Sequence, residues 1–306
     1  MGRSAILRCA TLAALIAFGA GCAPKQSIVQ ETTGAGSKQA WRSETASTVL
    51  RGQAIFRLDR MAIVATGAYL SWLARSGVSG PKDPGGWVVS ALNNGGSVVA
   101  WVVLDDPARD LGWIETQIYF APGANADRCA RANSKQSCAG IETLDQAREL
   151  TPEEVIQLRA RRLIRAEPRL KVCTQAPANL LVLRESGRWL GYLFSTSSDP
   201  KQIVAAGHSR IEFNADASKI ERIAPMFDAC RLLPAPAVES APESALESAL
   251  ESAEAIELVE QSVKYFHEGH VFLALEQQRP VLVRGGAGRA IRIVPSGMAI
   301  VLREEP

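Results

Sequence analysis

Beyond its first 22 residues the sequence has no apolar run long enough to cross a bilayer, because charged or turn residues interrupt each run before about 18 residues. The sequence also lacks an excess of charge. Residues 1–21 contain two basic residues and no acid, so removing them reduces the 34 basic residues to 32, against 32 acidic ones. A balanced chain has no general electrostatic attraction for nucleic acid or for an anionic membrane surface. We therefore expect no nucleic-acid partner and no membrane span in the body of the protein.

Residues and motifs typical of catalytic or cofactor-binding sites are also scarce. Only three histidines occur, and the sequence contains no Gly-x-Ser-x-Gly nucleophile elbow and no phosphate-binding Walker loop. The glycine-rich stretch 285–288 is followed by neither a lysine nor a predicted helix, so we interpret it as a turn. No pair of carboxylates stands out for acid–base catalysis. The sequence predicts no cofactor.

Cysteine is rare too, and outside the first 22 residues only four remain: Cys129, Cys138, Cys173 and Cys230. Four cysteines allow three pairings, and the sequence alone does not select one. We favour Cys129–Cys138, which closes a short polar loop, with Cys173–Cys230, which links the two ends of one subdomain. A zinc site is the alternative, but no two of these cysteines are two to four residues apart and no histidine lies near them.

The N-terminus has the parts of a secretory signal: Arg3 and Arg8, an apolar run from Cys9 to Phe18, and then small residues. The run is too short for a permanent transmembrane helix. Gly19-Ala20-Gly21-Cys22 resembles the lipobox of bacterial lipoproteins, although that family usually has a branched aliphatic residue where Gly19 stands. The resemblance implies cleavage before Cys22, which is acylated and becomes the new N-terminus. The alternative is an ordinary cleaved signal in which Cys22 has no special role.

These features predict a protein of the cell envelope, lipid-anchored and facing the periplasm, at the outer rather than the inner membrane. Acylation is the only membrane attachment that the sequence offers. Residues 1–21 are then the signal peptide. The small and polar stretch 22–40 is expected to be a flexible tether between the lipid and the folded part.

The sequence pattern after the tether predicts an α+β protein with a mainly antiparallel sheet and flanking helices, because two groups of β runs are separated by helical patterns. Apolar residues at helical spacing indicate an amphipathic helix over 48–76. Two β runs around Asn93-Asn94-Gly95-Gly96 predict a hairpin, and we expect a single strand over 203–213. We assign residues 41–235 to one disulfide-braced α+β domain.

A second helix is predicted from Thr151 to about Glu167, because Thr151, Pro152 and Glu154 form a typical helix start. It carries four arginines at positions 159, 161, 162 and 165. These do not share one face, so we interpret them as a solvated surface. A phosphate-binding patch is the alternative.

Residues 236–306 divide into two segments. The Glu/Ser/Ala-rich segment 236–266 contains tetrads from Glu239 onward and is predicted to be a solvated linker that becomes helical after about Glu243. We interpret it as a spacer rather than a coiled-coil partner helix, because its apolar stripe is too thin. Residues 267–306 predict a small β meander with runs at 270–275, 280–284, 289–294 and 298–302.

The candidate catalytic residues are His208 and Arg210, within Ala206-Gly207-His208-Ser209-Arg210. This stretch, with Asp216-Ala217, faintly resembles a strand of uncharacterised secreted bacterial proteins, in which Gly-Gly-His-Tyr-Arg precedes Asp-Gly. That resemblance covers fewer than 20 residues and implies no activity. His267 and His270, three residues apart, are the candidate metal ligands, although Gly269 between them argues against a helix and we expect no metal site.

Two hypotheses about function follow. The leading one is a non-enzymatic binding or assembly module that is anchored to the membrane by lipid and binds an envelope protein through its sheet or its tail. The alternative is a hydrolase acting on an envelope polymer or peptide, with His208 as general base and Arg210 binding an anion. Under the alternative, His208 should line a cleft with a carboxylate within about 3 Å.

Overall fold

The structure of the chain, a computed structural model, describes residues 38–77, 84–106, 110–132, 136–199, 201–227, 229–235, 254–260, 266–286 and 290–305. The predicted signal peptide 1–21, Cys22, the predicted tether up to residue 37 and most of the Glu/Ser/Ala-rich segment lie outside this part. Within it, the fold is α+β, as predicted. No helix among these residues is long and apolar enough to cross a membrane.

Four helices are described: α1 (Lys38–Ser76), α2 (Ala126–Ala132), α3 (Pro152–Ala166) and α4 (Glu268–Gln277). The predicted first helix is confirmed and begins about ten residues earlier than expected. Its buried residues recur every three or four positions, which places Val49, Phe56 and Ala62 on the face that meets the core. The predicted disulfide loop at 125–140 contains α2, which the sequence analysis did not foresee.

The first sheet is antiparallel and carries the predicted hairpin. Its strands are β1 (Pro84–Ala91), β2 (Ser97–Asp106), β3 (Leu111–Phe120), β4 (Ile141–Leu144) and β5 (Arg148–Glu149). They are ordered β1-β2-β3-β4, with β5 also pairing with β3.

The second sheet is antiparallel as well, in the order β10-β9-β7-β6. A short two-stranded sheet pairs β8, which lies between β7 and β9 in the chain, with β11, which follows β10. The strands are β6 (Asn179–Glu185), β7 (Arg188–Phe194), β8 (Gln202–Ala206), β9 (Ser209–Phe213), β10 (Ile220–Pro225) and β11 (Arg231–Pro234). The prediction of one strand over 203–213 is wrong, because the chain leaves one sheet and enters the other at Gly207-His208.

Gly207 explains this break. Its φ is +95°, and a Cβ on it would lie 1.8 Å from the Sγ of Cys173. Only glycine therefore fits where the Cys173–Cys230 disulfide crosses the backbone. That disulfide and Cys129–Cys138 are both formed, which confirms the favoured pairing.

The C-terminal sheet has the order β12-β13-β14-β15 and ends in the predicted meander. Its strands are β12 (Ile256–Glu260), β13 (Val281–Gly285), β14 (Ala290–Ser296) and β15 (Ala299–Glu305). Strand β12 runs parallel to β13, and α4 is the crossover between them. The remaining pairs are antiparallel.

Two predictions about this region are wrong. Residues 256–260 form a strand rather than a continuation of a helix, because Ile256, Leu258 and Glu260 are buried and alternate with exposed residues. Residues 270–275 form α4 rather than a strand. A continuous apolar run that is buried on all sides does not distinguish a helix from a strand by its period.

One large core joins α1 and α4 to strands of the first, second and C-terminal sheets. The C-terminal meander therefore packs on the main body. Helix α3 lies against both β1 and the β6–β7 hairpin and contributes to two smaller cores. Thr151 caps α3, and the capping box with Glu154 is formed as predicted.

Candidate functional site

The most concentrated charge in the described part of the chain surrounds Glu268, whose side chain is only 3% exposed. Its Oε1 accepts hydrogen bonds from Arg210 Nη1 at 3.0 Å and from Tyr192 Oη at 3.2 Å. Arg51 Nη1 lies 3.6 Å from its Oε2. Two guanidinium groups and a phenol thus neutralise and bind one buried carboxylate, which is the arrangement that makes a buried charge tolerable.

Four separate elements bring these groups together. Glu268 lies in the first turn of α4, where the helix dipole favours a carboxylate. Arg51 comes from α1. Tyr192 and Arg210 are partners in the register of β7 and β9, so their backbones lie side by side.

Each arginine also has a second acidic partner nearer the surface. Arg51 Nε donates to Glu185 Oε2 at 2.9 Å, and Arg210 Nη2 donates to Glu212 Oε1 at 3.1 Å. The Nε of Arg210 is buried and donates to no acceptor among the described residues. The network therefore alternates in sign from Glu185 through Arg51, Glu268 and Arg210 to Glu212.

This network shifts the ionisation of its buried members. Burial would raise the pKa of Glu268, but Arg210, the backbone at the start of α4 and Arg51 together lower it below its usual value. The carboxyl group is therefore ionised at neutral pH. Burial, followed by the negative charge of Glu268, raises the pKa of Tyr192 well above its ordinary value, so the phenol stays protonated and acts as a donor.

The network borders an open cavity of about 730 Å³, which we call the charged cavity. Its lining is formed by Glu44, Ser47, Thr48, Arg51, Glu185, Ser186, Arg188, Leu190, Arg210, Glu212, Phe266, His267 and Glu268. Glu44 and Arg188 are exposed, and neither makes an ion pair with another described side chain. The cavity therefore offers paired charges deep inside and unpaired charges of both signs at its edge.

His208, the other candidate catalytic residue, lies elsewhere. It is only 3% exposed, and its ring packs against Phe194 and Phe227 at centroid distances of 4.8 and 5.3 Å. Its Nδ1 accepts a hydrogen bond from the backbone N–H of Ser195 at 3.2 Å, and it forms a second backbone hydrogen bond with Val204. Burial, followed by the charge of His267, lowers the pKa of His208 to about 3. No carboxylate is bonded to this imidazole within the described part of the chain.

The structure also separates the two candidates. His208 borders a smaller cavity of about 240 Å³ together with Asp59 and Glu276, whereas Arg210 borders the charged cavity. Asp59 in the smaller cavity is bonded to Asn179 Nδ2 at 2.6 Å and to Arg60. A hydrolytic pair made of His208 and Arg210 is therefore not assembled.

His267 and His270 lie at the start of helix α4, although Gly269 between them had argued against a helix. His267 is the N-cap of α4, and its Nδ1 accepts from the backbone N–H of Gly269. His270 Nδ1 accepts from the backbone N–H of His267 at 3.1 Å. The two rings stack at 3.8 Å, and no group of three or more potential ligands among the described residues is placed to bind a metal ion.

Phe227 brings all three histidines into one cluster, since its ring contacts His208, His267 and His270 edge-on at centroid distances of 5.3, 4.6 and 5.1 Å. His270 is fully buried, and burial lowers its pKa well below the ordinary histidine value. Edge-on packing of aromatic rings is a stabilising arrangement of an aromatic core. The arrangement indicates a structural role for the cluster.

Sequence reasoning identified Arg210 but missed Arg51, Tyr192 and Glu185. Arg210 is 58 residues from Glu268, and Arg51 is 134 residues from Glu185, so no local spacing connects them. One signal was available: Arg51 lies between apolar core positions of α1, where an unpaired charge would be costly.

The prediction for the four arginines of α3 is wrong for Arg161, which is 5% exposed. Its Nη1 donates to the carbonyl of Leu180 at 2.6 Å, and its guanidinium lies 4.2 Å from the ring centroid of Trp87. Arg162 donates to both carboxylate oxygens of Asp110, at 2.7 and 2.9 Å.

No known protein family, no curated protein and no solved structure matches this chain.

Proposed function

We propose that the chain is an exported lipoprotein of the cell envelope that acts as a non-enzymatic binding module for another envelope protein. The proposed location rests on the N-terminal signal and on the lipobox-like Gly-Ala-Gly-Cys. The two disulfides support it, because paired cysteines persist in oxidising compartments such as the periplasm. A lipid on Cys22 would attach the body to the membrane, with the outer membrane favoured.

The observation that carries the binding function is the charged cavity around Glu268. Burying ion pairs generally costs stability relative to apolar packing, so stability alone does not explain a network of this size. Recognition of a partner explains why the charges are there. The pairing also fixes the guanidinium groups in place before a partner arrives, which reduces the entropic cost of binding.

The charges at the edge define the chemistry of the partner. Arg188 attracts a carboxylate and Glu44 attracts a cation, and both are exposed at the same opening. A polypeptide segment carrying side chains of both signs is complementary to this edge. Such pairs contribute more to specificity and association rate than to affinity.

The hydrolase hypothesis receives no support from His208. A general base must reach a proton on the substrate or on a water molecule, and its pKa is best placed near the working pH. His208 is enclosed by Phe194 and Phe227, its Nδ1 already accepts a hydrogen bond, and its pKa is lowered to about 3.

The test is capture of the partner from envelope extracts by wild type and by Arg188→Glu, with Arg169→Glu as control. Arg169 is exposed, is bonded to Glu167 and does not line the charged cavity, so the control introduces the same charge change elsewhere. We expect one stoichiometric partner with wild type and with the control, and its loss with Arg188→Glu. Equal recovery by all three proteins, or no stoichiometric partner, would overturn the binding role of the charged cavity.

Lipid anchoring at Cys22 is tested separately by intact-mass analysis of the protein purified from its native cells. We expect a chain beginning at Cys22 with acyl groups attached, and no acylation in a Cys22→Ser variant. An unmodified chain, or cleavage at another position, would contradict lipid anchoring and leave the capture experiment unaffected.

A further inference from the structure

The four arginines of α3 divide into two pairs with different surroundings. Arg159 and Arg162 both contact Asp110, so their charge is compensated. Arg161 and Arg165 make no ion pair with any acid in the described part of the chain. Two neighbouring cations without a counter-charge are the unusual feature.

These two side chains converge beside Gly86 in β1. The position that a Cβ would take on Gly86 lies 3.2 Å from Arg165 Nη2, 3.6 Å from Arg161 Nη2 and 3.7 Å from Arg161 Nε. Gly86 has a φ of +94° and lacks a side chain, which lets both guanidinium groups lie close to the backbone of β1 at this point.

Arg161 is held firmly while part of its hydrogen-bonding capacity is unused. Its Nη1 donates to Leu180, and its plane lies over Trp87 at 4.2 Å, which fixes the position of the group. Its Nε is buried and has no acceptor among the residues that the structure describes. Arg165 is exposed at the same place and donates to no described acceptor, so its N–H groups remain available to a ligand.

We propose that Arg161 and Arg165, beside Gly86, form a binding site for a phosphate group. Free phosphate and the phosphodiester of a lipid headgroup are both anions at neutral pH, so the two guanidinium charges attract either one, and its oxygens accept N–H donors from each group. Arg161 is the buried donor and Arg165 the exposed one. The site lies on α3 and β1 and does not depend on the charged cavity.

The group could belong to free phosphate or to a lipid headgroup, and the experiment separates these sources. Inorganic phosphate is titrated into the disulfide-bonded chain at low ionic strength, and binding is followed through the Nε–H resonance of Arg161 and by calorimetry. In the second arm the chain is mixed with vesicles of phosphatidylglycerol in phosphatidylcholine, or of phosphatidylcholine alone. Saturable binding of phosphate identifies free phosphate, and binding only to anionic vesicles identifies a headgroup.

The variant is Arg165→Gln, which removes an exposed, unpaired charge and is expected to leave the fold intact. Arg169→Gln is the control, because it removes one positive charge from the same region. We expect Arg165→Gln to weaken binding about tenfold or more, as loss of a charged hydrogen bond predicts, and the control to change it less than about twofold. The proposal is overturned if wild type binds neither phosphate nor anionic vesicles, if Arg165→Gln binds as wild type does, or if the control loses binding equally.

Discussion

Gly52 and Val271 bring helices α1 and α4 almost into backbone contact. A Cβ on Gly52 would lie 2.5 Å from the Cβ of Val271 and 2.9 Å from the carbonyl oxygen of Glu268. The absence of a side chain on α1 therefore sets the distance between the two helices. Because Glu268 begins α4, the same contact fixes the depth at which its carboxylate meets Arg51 and Arg210.

The first prediction follows from this contact. In an exposed helix, Gly→Ala stabilises by about 0.5–1 kcal/mol, because alanine has the higher helix propensity. At position 52 we expect alanine to destabilise the protein instead, since the backbone oxygen of Glu268 cannot move away without displacing α4. We expect Gly52→Ala to lower the free energy of unfolding by about 1–3 kcal/mol, the usual cost of overpacking, as measured by urea denaturation.

Gly67 provides the matched control in the same helix. No atom lies within 4 Å of the position that its Cβ would take, so Gly67→Ala should follow helix propensity and stabilise the protein. Destabilisation by both substitutions would mean that α1 disfavours alanine generally, and the contact with Val271 would not explain the result.

The sequence predicts the parts of this fold that depend on local signals. The Asn-Gly turn of β1–β2, the capping box at Thr151 and the pairing of cysteines nine residues apart all depend on residues close in the chain. The helical spacing of apolar residues that predicts α1 is equally local. Each of these was predicted and is present.

The sequence does not predict the parts that depend on distant partners. The run at 270–275 is apolar throughout, so only packing against α1 decides that it is helical. Gly207 breaks a predicted strand because a disulfide passes over it. The ion pairs of Glu268 join three elements, α1, β9 and α4, and none of their spacings appears in the sequence as a motif.

The second prediction concerns the cap of α3. Thr151 accepts a hydrogen bond from Glu154 N–H, and Glu154 in turn accepts from the backbone N–H of Thr151. Thr151→Ala removes the first bond, and we expect a loss of about 1 kcal/mol in the free energy of unfolding. Ser47→Ala on the exposed face of α1 is the control and should change it by less than about 0.5 kcal/mol. Equal effects of the two substitutions would argue against a specific role for the cap.

The third prediction compares the two disulfides. In the chain-entropy description, a crosslink stabilises more when it closes a longer loop, and the separations here are 9 and 57 residues. Replacing both cysteines of the Cys173–Cys230 pair by serine should cost about 4 kcal/mol, against about 2.5 kcal/mol for the Cys129–Cys138 pair. Chemical denaturation of the two double variants gives the comparison. A larger loss from the shorter loop would show that local packing outweighs the entropy of the unfolded chain.

The last prediction is a pH dependence that originates in the histidine cluster. Burial lowers the pKa of His208 to about 3 and that of His270 well below the model-peptide value of 6.5. Both rings therefore stay neutral in the folded protein as the pH falls below 6.5, whereas the unfolded chain takes up a proton on each. Protonation favours the unfolded state, so stability is greatest above pH 6.5 and decreases toward the folded-state pKa values. Near pH 5.5 we expect unfolding to take up about one proton for each of the two histidines.

Asparagine at either position tests this directly, because its side-chain oxygen replaces the Nδ1 acceptor and does not titrate. The free energy of unfolding of wild type, His208→Asn and His270→Asn is measured by urea denaturation from pH 5.5 to 7.5 at constant ionic strength. Each substitution should reduce the proton uptake by about one, and the carboxylates cancel in the comparison with wild type. Variants that are uniformly less stable but keep the wild-type pH slope would show that the rings are already charged in the folded protein, which is inconsistent with their packing around Phe227.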